Sequence, residues 1–195
     1  MIYIRVVFLP PLIFYVRNKT MFKALSHFKT ITKHRHCVLR HCIKAGIPIQ
    51  GLKHDLSKYS PIEFIPGAKY YVGIKSPNEI ERREKGYSSA WLHHKGRNKH
   101  HYEYWTDYNI KTRRMEPVKM PTKYLKEMFC DRVAASKIYQ GKNYTEEHPL
   151  QYFENAKARI QIHPETAAEL EKLLIMLKEK GEKETFKYLK NLKSY

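Results

Sequence analysis

What most limits the fold of this chain is the spacing of its apolar residues. Leu25, Phe28, Ile31, Val38, Cys42 and Ala45 recur at three- and four-residue steps, the repeat of one helical face, and the run stops at Gly46 and Pro48, residues that end helices. No stretch sustains the every-second-residue alternation of a half-buried strand, and there is no internal repeat at solenoid spacing. The pattern predicts a mainly helical protein, with its first amphipathic helix over 22–45.

The same reading extends along the chain. His54-Asp55-Leu56-Ser57-Lys58 opens a second short helix. Ser60-Pro61 followed by Glu63 looks like a further helix start with Pro in the first helical position. A loop over 73–78 leads to a charged segment and then to a long one, 87–108, read as a helix weakened at Gly96 or as two helices meeting there. Residues 115–121 form a connector with two prolines. Tyr124, Met128, Cys130, Val133, Ala134 and Ile138 mark a helix ending near Gly141, with Asp131 inside it. Segments 145–160 and 164–178 follow, the latter opening on His163-Pro164-Glu165, with acid in the first turn. A short terminal helix spans 182–192.

At 195 residues the chain suits one well-filled core. The expected architecture is all-α, a single-domain helical bundle over 21–195, preceded by an apolar extension over 1–20 that lies outside the fold. Residues 1–16 are apolar, but Arg5 and the pair Pro10-Pro11 interrupt them and the stretch is short for a spanning helix. No transmembrane span is expected. No small-residue cleavage site of the A-x-A type follows, which argues against a secretory signal. Cys37, Cys42 and Cys130 are spaced neither as a zinc ribbon nor as a disulfide framework, so a reducing, cytoplasmic setting is expected.

The net charge of +18 favours an anionic partner: phosphate, nucleic acid or anionic lipid. The basic residues are spread along the chain, without a finger, basic-zipper or RNA-binding signature. The charge names a class of ligand and no particular one.

His54-Asp55 offers a divalent metal one nitrogen and one anionic oxygen from a single backbone site, and Lys58 lies near Asp55 if the segment is helical. Eleven histidines would be unremarkable if scattered, but His34, His36, His93, His94, His100 and His101 lie on neighbouring predicted helices. Neutral imidazoles with carboxylates suit Mn, Fe, Co, Ni, Zn or Mg, the nitrogen share leaning toward the transition metals. Asp131 in an apolar helix requires compensation by Arg132, a histidine or a metal.

These residues resemble the HD-domain superfamily of metal-dependent phosphohydrolases, whose helical core sets a His, an adjacent His-Asp and a later Asp around one or two metals. More closely, segments 30–34, 54–64, 90–105, 127–139 and 162–165 are similar to a family of small uncharacterised bacterial and phage proteins, a domain of unknown function. The resemblance implies an HD-type bundle with one or two divalent ions. His34 is then the first ligand, with His36 its rival on the same helix flank, His54 and Asp55 the central pair, and Asp131 the closing carboxylate. In the long segment, a helix would put His94, Arg97 and His101 on one face and His93, Arg97 and His100 on the next. His94 and His101 are the preferred ligands.

The implied reaction is hydrolysis of a nucleotide or other phosphorylated small molecule by metal-activated water, with Asp55 at its centre and Lys58 and Arg97 as phosphate clamps. The Gly-Tyr-Pro loop of cyclic-dinucleotide phosphodiesterases is absent, and Ala134 replaces the second acid usual in that helix. The alternative is a basic, metal-stabilised nucleic-acid-binding protein without catalysis.

Overall fold

The computed structural model describes residues 11–195, with side chains described from residue 21 onward. The expectation for residues 1–10 lies outside the described residues. Of 11–20, only the backbone is described, as the start of the first helix.

The predicted helical periodicity becomes a core of four helices: α1 (Pro11–Lys44), α6 (Thr122–Gln140), α7 (His148–Lys157) and α8 (Pro164–Asn191). From α1 and the turn after it come Cys37, Val38, Cys42, Ala45 and Ile47. Helix α6 adds Leu125, Phe129, Cys130, Val133 and Ala134, α7 Leu150 and Phe153, and α8 Leu170, Leu173, Leu174, Leu177, Phe186 and Leu189. Each fully buried Leu or Phe here contributes about 1.5–3 kcal/mol. Helix α8 carries a break at Gly181 (φ 74°, ψ 174°), a conformation that only glycine adopts without strain. The segments expected at 164–178 and 182–192 are therefore two helical runs joined at that break.

A second layer lies along α1. It consists of α2 (Pro48–Lys53), a short 3-10 turn over Leu56–Tyr59, α3 (Pro61–Lys69), α4 (Pro77–Lys85) and α5 (Ser89–Lys95). Helix α2 lies against the C-terminal half of α1, and α3 against the stretch around His27 and Phe28. Pro48, Pro61 and Pro77 each stand at a helix start, where the missing N–H costs nothing. Helix α3 is tied to α1 by Phe64 against His27 and Phe28, and by a 2.7 Å hydrogen bond between the Thr30 and Tyr71 hydroxyls.

Helix α5 is held from below by a buried acid. Glu81 of α4 accepts hydrogen bonds from Ser88 (2.7 Å) and Ser89 (2.8 Å) and pairs with Lys85 (3.1 Å), while the Ser88 hydroxyl caps α5 by accepting from the Trp91 N–H. Burial alone would raise the pKa of Glu81, but the bonds from Ser88, Ser89 and Lys85 outweigh it and bring it down to about 2. Its contribution to stability is thus complete above the unfolded value of 4.5 and lost as the pH falls through about 2.

The long segment 87–108 departs from expectation. Helix α5 stops at Lys95, turns follow, and a 3-10 turn over Tyr102–Tyr104 leads into β1 (Thr106–Asn109). This strand pairs antiparallel with β2 (Arg114–Pro117), which occupies part of the expected connector, in the register Thr106↔Pro117 to Asn109↔Arg114. Local chemistry makes the hairpin: the Asn109 side chain accepts from the Lys111 N–H (2.9 Å) and donates to Glu116 (2.6 Å), and Arg113 takes a positive φ of 55°. Four-residue strands are too short to show as alternation. Among the described residues no helix is long and apolar enough to cross a membrane.

Gly51 lets α2 lie directly on α1: a Cβ there would stand 2.7 Å from the Cys42 Cβ and 3.1 Å from the Leu39 Cα. Because the second contact is backbone, neither helix can yield cheaply. Gly51→Ala should lower stability by about 1–3 kcal/mol in denaturant titration, and a neutral result would show that α2 is free to shift.

Candidate metal centre

In a continuous helix the side chains of His54 and Asp55 would diverge by about 100°. They converge because α2 ends first. His54 takes an extended ψ of 127° and Asp55 a left-handed φ of 52° before the 3-10 turn begins. Asp adopts this region more readily than most residues, and such backbone is held only where the surroundings impose it. Arg35 of α1 imposes part of it, donating to the carbonyls of His54 (2.7 Å) and Leu52 (3.1 Å), a cation at the end of α2 that complements the helix dipole. As a result the His54 Nε2 stands 3.2 Å from the Asp55 Oδ2.

The two oxygens of Asp55 face two different groups of side chains. On the Oδ2 side are His54, His34 of α1 (Nε2 at 3.8 Å) and the Lys58 ammonium (2.6 Å). Asp131 of α6 closes that side, its Oδ1 standing 3.0 Å from His34 Nε2 and 3.5 Å from His54 Nε2. On the Oδ1 side are His94 Nε2 of α5 (3.2 Å) and His100 Nε2 (3.5 Å). The His101 Nε2 joins them at 2.9 Å from His94 Nε2. Within each of the sets His34, His54, Asp55, Asp131 and Asp55, His94, His100, His101, all the ligating atoms lie within 4.8 Å of one another.

Carboxylates behind the imidazoles set their orientation. The Glu127 Oε1 accepts from the Nδ1–H of His54 (3.0 Å) and stands 3.1 Å from the Nδ1 of His100, and Glu63 accepts from His94 Nδ1 (2.7 Å) and His93 Nδ1 (2.6 Å). In the neutral form an N–H on Nδ1 leaves the lone pair on Nε2, the atom that faces Asp55 in His54, His94 and His100. Ser57 braces the same region, accepting a 2.9 Å hydrogen bond from Asn98, which also donates to the His94 carbonyl at 2.8 Å.

Several of these inward atoms are orphans. His34 Nε2, His54 Nε2, His100 Nε2 and both oxygens of Asp55 are buried without a partner at hydrogen-bond geometry, although they lie in close charge contact with one another. Unpaired buried polar atoms are costly and rare in folded proteins. Ligands on one ion with bonds of about 2.1 Å lie about 3.0–3.4 Å apart. His34–Asp131 (3.0 Å), His54–Asp55 and His94–Asp55 (both 3.2 Å) fall in that range, and the remaining close contacts within the two sets span 2.9–3.8 Å. The buried groups could therefore hold a metal ion.

The model of a family of unknown function, DUF5662, matches residues 23–176. The chain belongs to this family. No curated protein and no solved structure shows a significant match. Every side chain of the cluster lies inside the matched stretch, so the site belongs to the DUF5662 region of the chain.

In this DUF5662 member all six expected ligands meet: His34, His54, Asp55, His94, His101 and Asp131. Lys58 reaches Asp55 as an i,i+3 pair, as a helical turn requires. His36 is exposed on the far side of α1, and His93 turns to Glu63. Arg97 is exposed on the turn after α5, and its guanidinium takes no part in the cluster among the described contacts. Helical spacing is also not what joins His94 to His101, because the helix ends between them and the turn over 96–101 folds His100 and His101 back over α5. Sequence reasoning set His100 aside and passed over Glu63 and Glu127. The one readable signal was the i,i+4 step from Glu127 to Asp131, which puts two acids on one face of α6.

Electrostatics divides the histidines. Burial, with the Lys58 and His54 charges, lowers His34, and burial with the His100 and His94 charges holds His101 well below the usual range, so both present neutral lone pairs. For His54 and His94 burial also disfavours the charge, but Asp55 and the other carboxylates outweigh it and raise them. Asp55 and Asp131 stay ionised because the surrounding imidazoles, with Lys58 for Asp55, outweigh the burial that would raise them. An incoming cation must therefore displace protons from His54 and His94. Affinity for Mn2+ or Co2+ should rise as the pH is raised above the ordinary imidazole value of 6.5, with proton release on binding. Calorimetry in buffers of different ionisation enthalpy reads that release directly, and pH-independent binding without it would contradict this site.

Proposed function

We propose that this DUF5662 protein is a metal-dependent phosphohydrolase of the HD type that acts with two divalent ions on a nucleotide or another phosphorylated small molecule. The observation that carries the proposal is Asp55, which turns one carboxylate oxygen to each of two histidine-rich donor sets. Four carboxylates, Asp55, Asp131, Glu63 and Glu127, face this cluster, a negative charge that two divalent ions would balance. The share of nitrogen donors favours Mn, Fe, Co, Ni or Zn over Mg. The order of the residues along the chain, a His on the first helix, His-Asp at a helix end, histidines on a later segment and a closing Asp, resembles that of an HD domain.

Ions bound there would supply Lewis acidity, lowering the pKa of water and screening the charge of a phosphoryl group. The protein's own side chains do the rest. Asp55 and Asp131 keep their charge and fix the donor sets. Lys58, 2.6 Å from Asp55 and part exposed, presents an ammonium to the side from which a phosphate oxygen would approach. Burial works against that charge, but Asp55 and Asp131 outweigh it and hold the Lys58 pKa above its ordinary value, so it remains a cation for developing negative charge. Arg97, exposed on the turn after α5, is the second clamp in this proposal.

The test is a panel of nucleotides and phosphate esters with Mn2+, Fe2+ or Co2+. Asp55→Ala should reduce turnover by at least about 1,000-fold and Lys58→Ala by about 10–100-fold in kcat. No hydrolysis across the panel by metal-loaded protein, or an active Asp55→Ala variant, sinks the proposal.

One observation favours nucleic-acid binding as a second reading. Helix α1 contains no Asp or Glu in 34 residues, and Lys29, Lys33, His36 and Arg40 line a shallow groove along it with Phe28 and Leu39. If this face binds nucleic acid, affinity should fall steeply with salt, and reversing Lys29, Lys33 and Arg40 to Glu should flatten that slope by about 2–3. Affinity that survives Asp55→Ala would separate this role from the metal site.

A further inference from the structure

Glu127 lies outside the ring of atoms turned toward Asp55, yet it touches both halves of the cluster. Its Oε1 stands 3.0 Å from the Nδ1 of His54 and 3.1 Å from the Nδ1 of His100. His54 belongs to the donor set that contains His34 and Asp131; His100 belongs to the set that contains His94 and His101. The two rings are 4.4 Å apart, centre to centre. One carboxylate oxygen has two lone pairs and can accept from both.

We infer that Glu127 is a positioning residue shared by the two donor sets, holding His54 and His100 in one frame so that the two ions are gained and lost together. The inference rests on the two-ion reading above. Metal-bound imidazoles commonly donate their other N–H to a carboxylate, and losing such a partner weakens metal binding. Here a single oxygen serves a ligand of each ion. Glu127 is also one helical turn from Asp131 on α6 and 5% exposed, so its carboxylate and the closing ligand of the first set move as one rigid unit.

Glu63 supplies the built-in contrast. It too stands beside two imidazoles, His93 at 2.6 Å and His94 at 2.7 Å, but only His94 belongs to a donor set, the second one. Loss of Glu63 should therefore disturb one ion, and loss of Glu127 both. His54, His100 and Glu127 also lie close enough to hold an ion by themselves. The Nε2 atoms of His54 and His100 already face Asp55 at 3.2 and 3.5 Å, so a third ion beside Glu127 would require both imidazoles to bind ions through both nitrogens and give up their last proton. Glu127 is thus a brace and not a ligand.

The test uses the full chain, stripped of metal and titrated with Co2+, followed by calorimetry, by metal content after dialysis and by the visible absorption of bound cobalt. The wild type should take up two ions in one steep transition. Glu127→Gln should weaken both by about 10–100-fold and diminish the whole cobalt spectrum, whereas Glu63→Gln should keep one ion at wild-type affinity. Thermal melting of each metal-free variant checks that the fold is kept. If Glu127→Gln does not fold, Glu127→Asp, which keeps the charge but is one methylene shorter, should show the same paired loss. Two ions bound at wild-type affinity in the Glu127 variant, or loss of one alone, overturns the inference while leaving the two-ion reading standing. A wild type that binds no ion, or only one, overturns that reading and this inference with it.

Discussion

A carboxylate that is 1% exposed stands at the centre of this protein, and the fold around it is organised to keep it charged. Moving one such ion out of water costs several kcal/mol even after relaxation. Asp55 is compensated by Lys58 and by imidazoles brought from α1, from the end of α2, from α5 and from the turn beyond it. No single helix could supply these groups, because side chains on one helix spread around its axis. The left-handed backbone at Asp55 and the 3-10 turn after it are the local form of the same constraint. They set two neighbouring side chains on one point.

The apolar core and the polar cluster are adjoining faces of the same helices. On α1 the buried stripe runs His27, Ile31, His34, Val38, Cys42 and Ala45, so His34 lies in register with core residues one turn away. On α6, Leu125, Phe129 and Val133 point into the core, while Glu127 and Asp131 turn toward the histidines. Close packing between α1 and α6 therefore fixes the distance from His34 to Asp131 without help from either polar group. A site built on tightly packed helices has its donors in place before any ligand arrives. The other half depends on α5, a seven-residue helix that would be marginal alone. It is held by the buried Glu81–Ser88 contact and by Glu63 from α3.

Residues read correctly from the chain were those whose geometry is local. The spacing of Ile31, Val38, Cys42 and Ala45 gave the buried helix face, although Leu25 and Phe28 of the same predicted stripe stand exposed. Pro61 and Pro164 gave helix starts, and Lys58 three residues after Asp55 gave an ion pair. Failures came where distant contacts or turn chemistry overrode periodicity. The segment 96–105 has helix-like spacing, but the chain folds back there, so Arg97 is left exposed and His100 is buried beside Asp55. The β1–β2 hairpin depends on the Asn109 side chain and a four-residue loop, which leave no period in the sequence. Glu63 looked like an ordinary helix acid and Glu127 carried only its i,i+4 step to Asp131, since little that is local distinguishes an acid that will meet an imidazole thirty or seventy residues away.

The sequence by itself determined that the chain would be mainly helical, and it pointed to His54-Asp55, with histidines and Asp131 as the residues that would meet it. Those conclusions rest on residue type and on spacing within one turn or one segment. Only the tertiary structure decided between His34 and His36, brought His100 beside His101, and placed Glu127 behind both halves of the cluster. Each of these depends on how one helix is rotated about its axis against another. That rotation is set by the packing of Val38, Phe129 and Leu173, residues that carry no polar chemistry of their own.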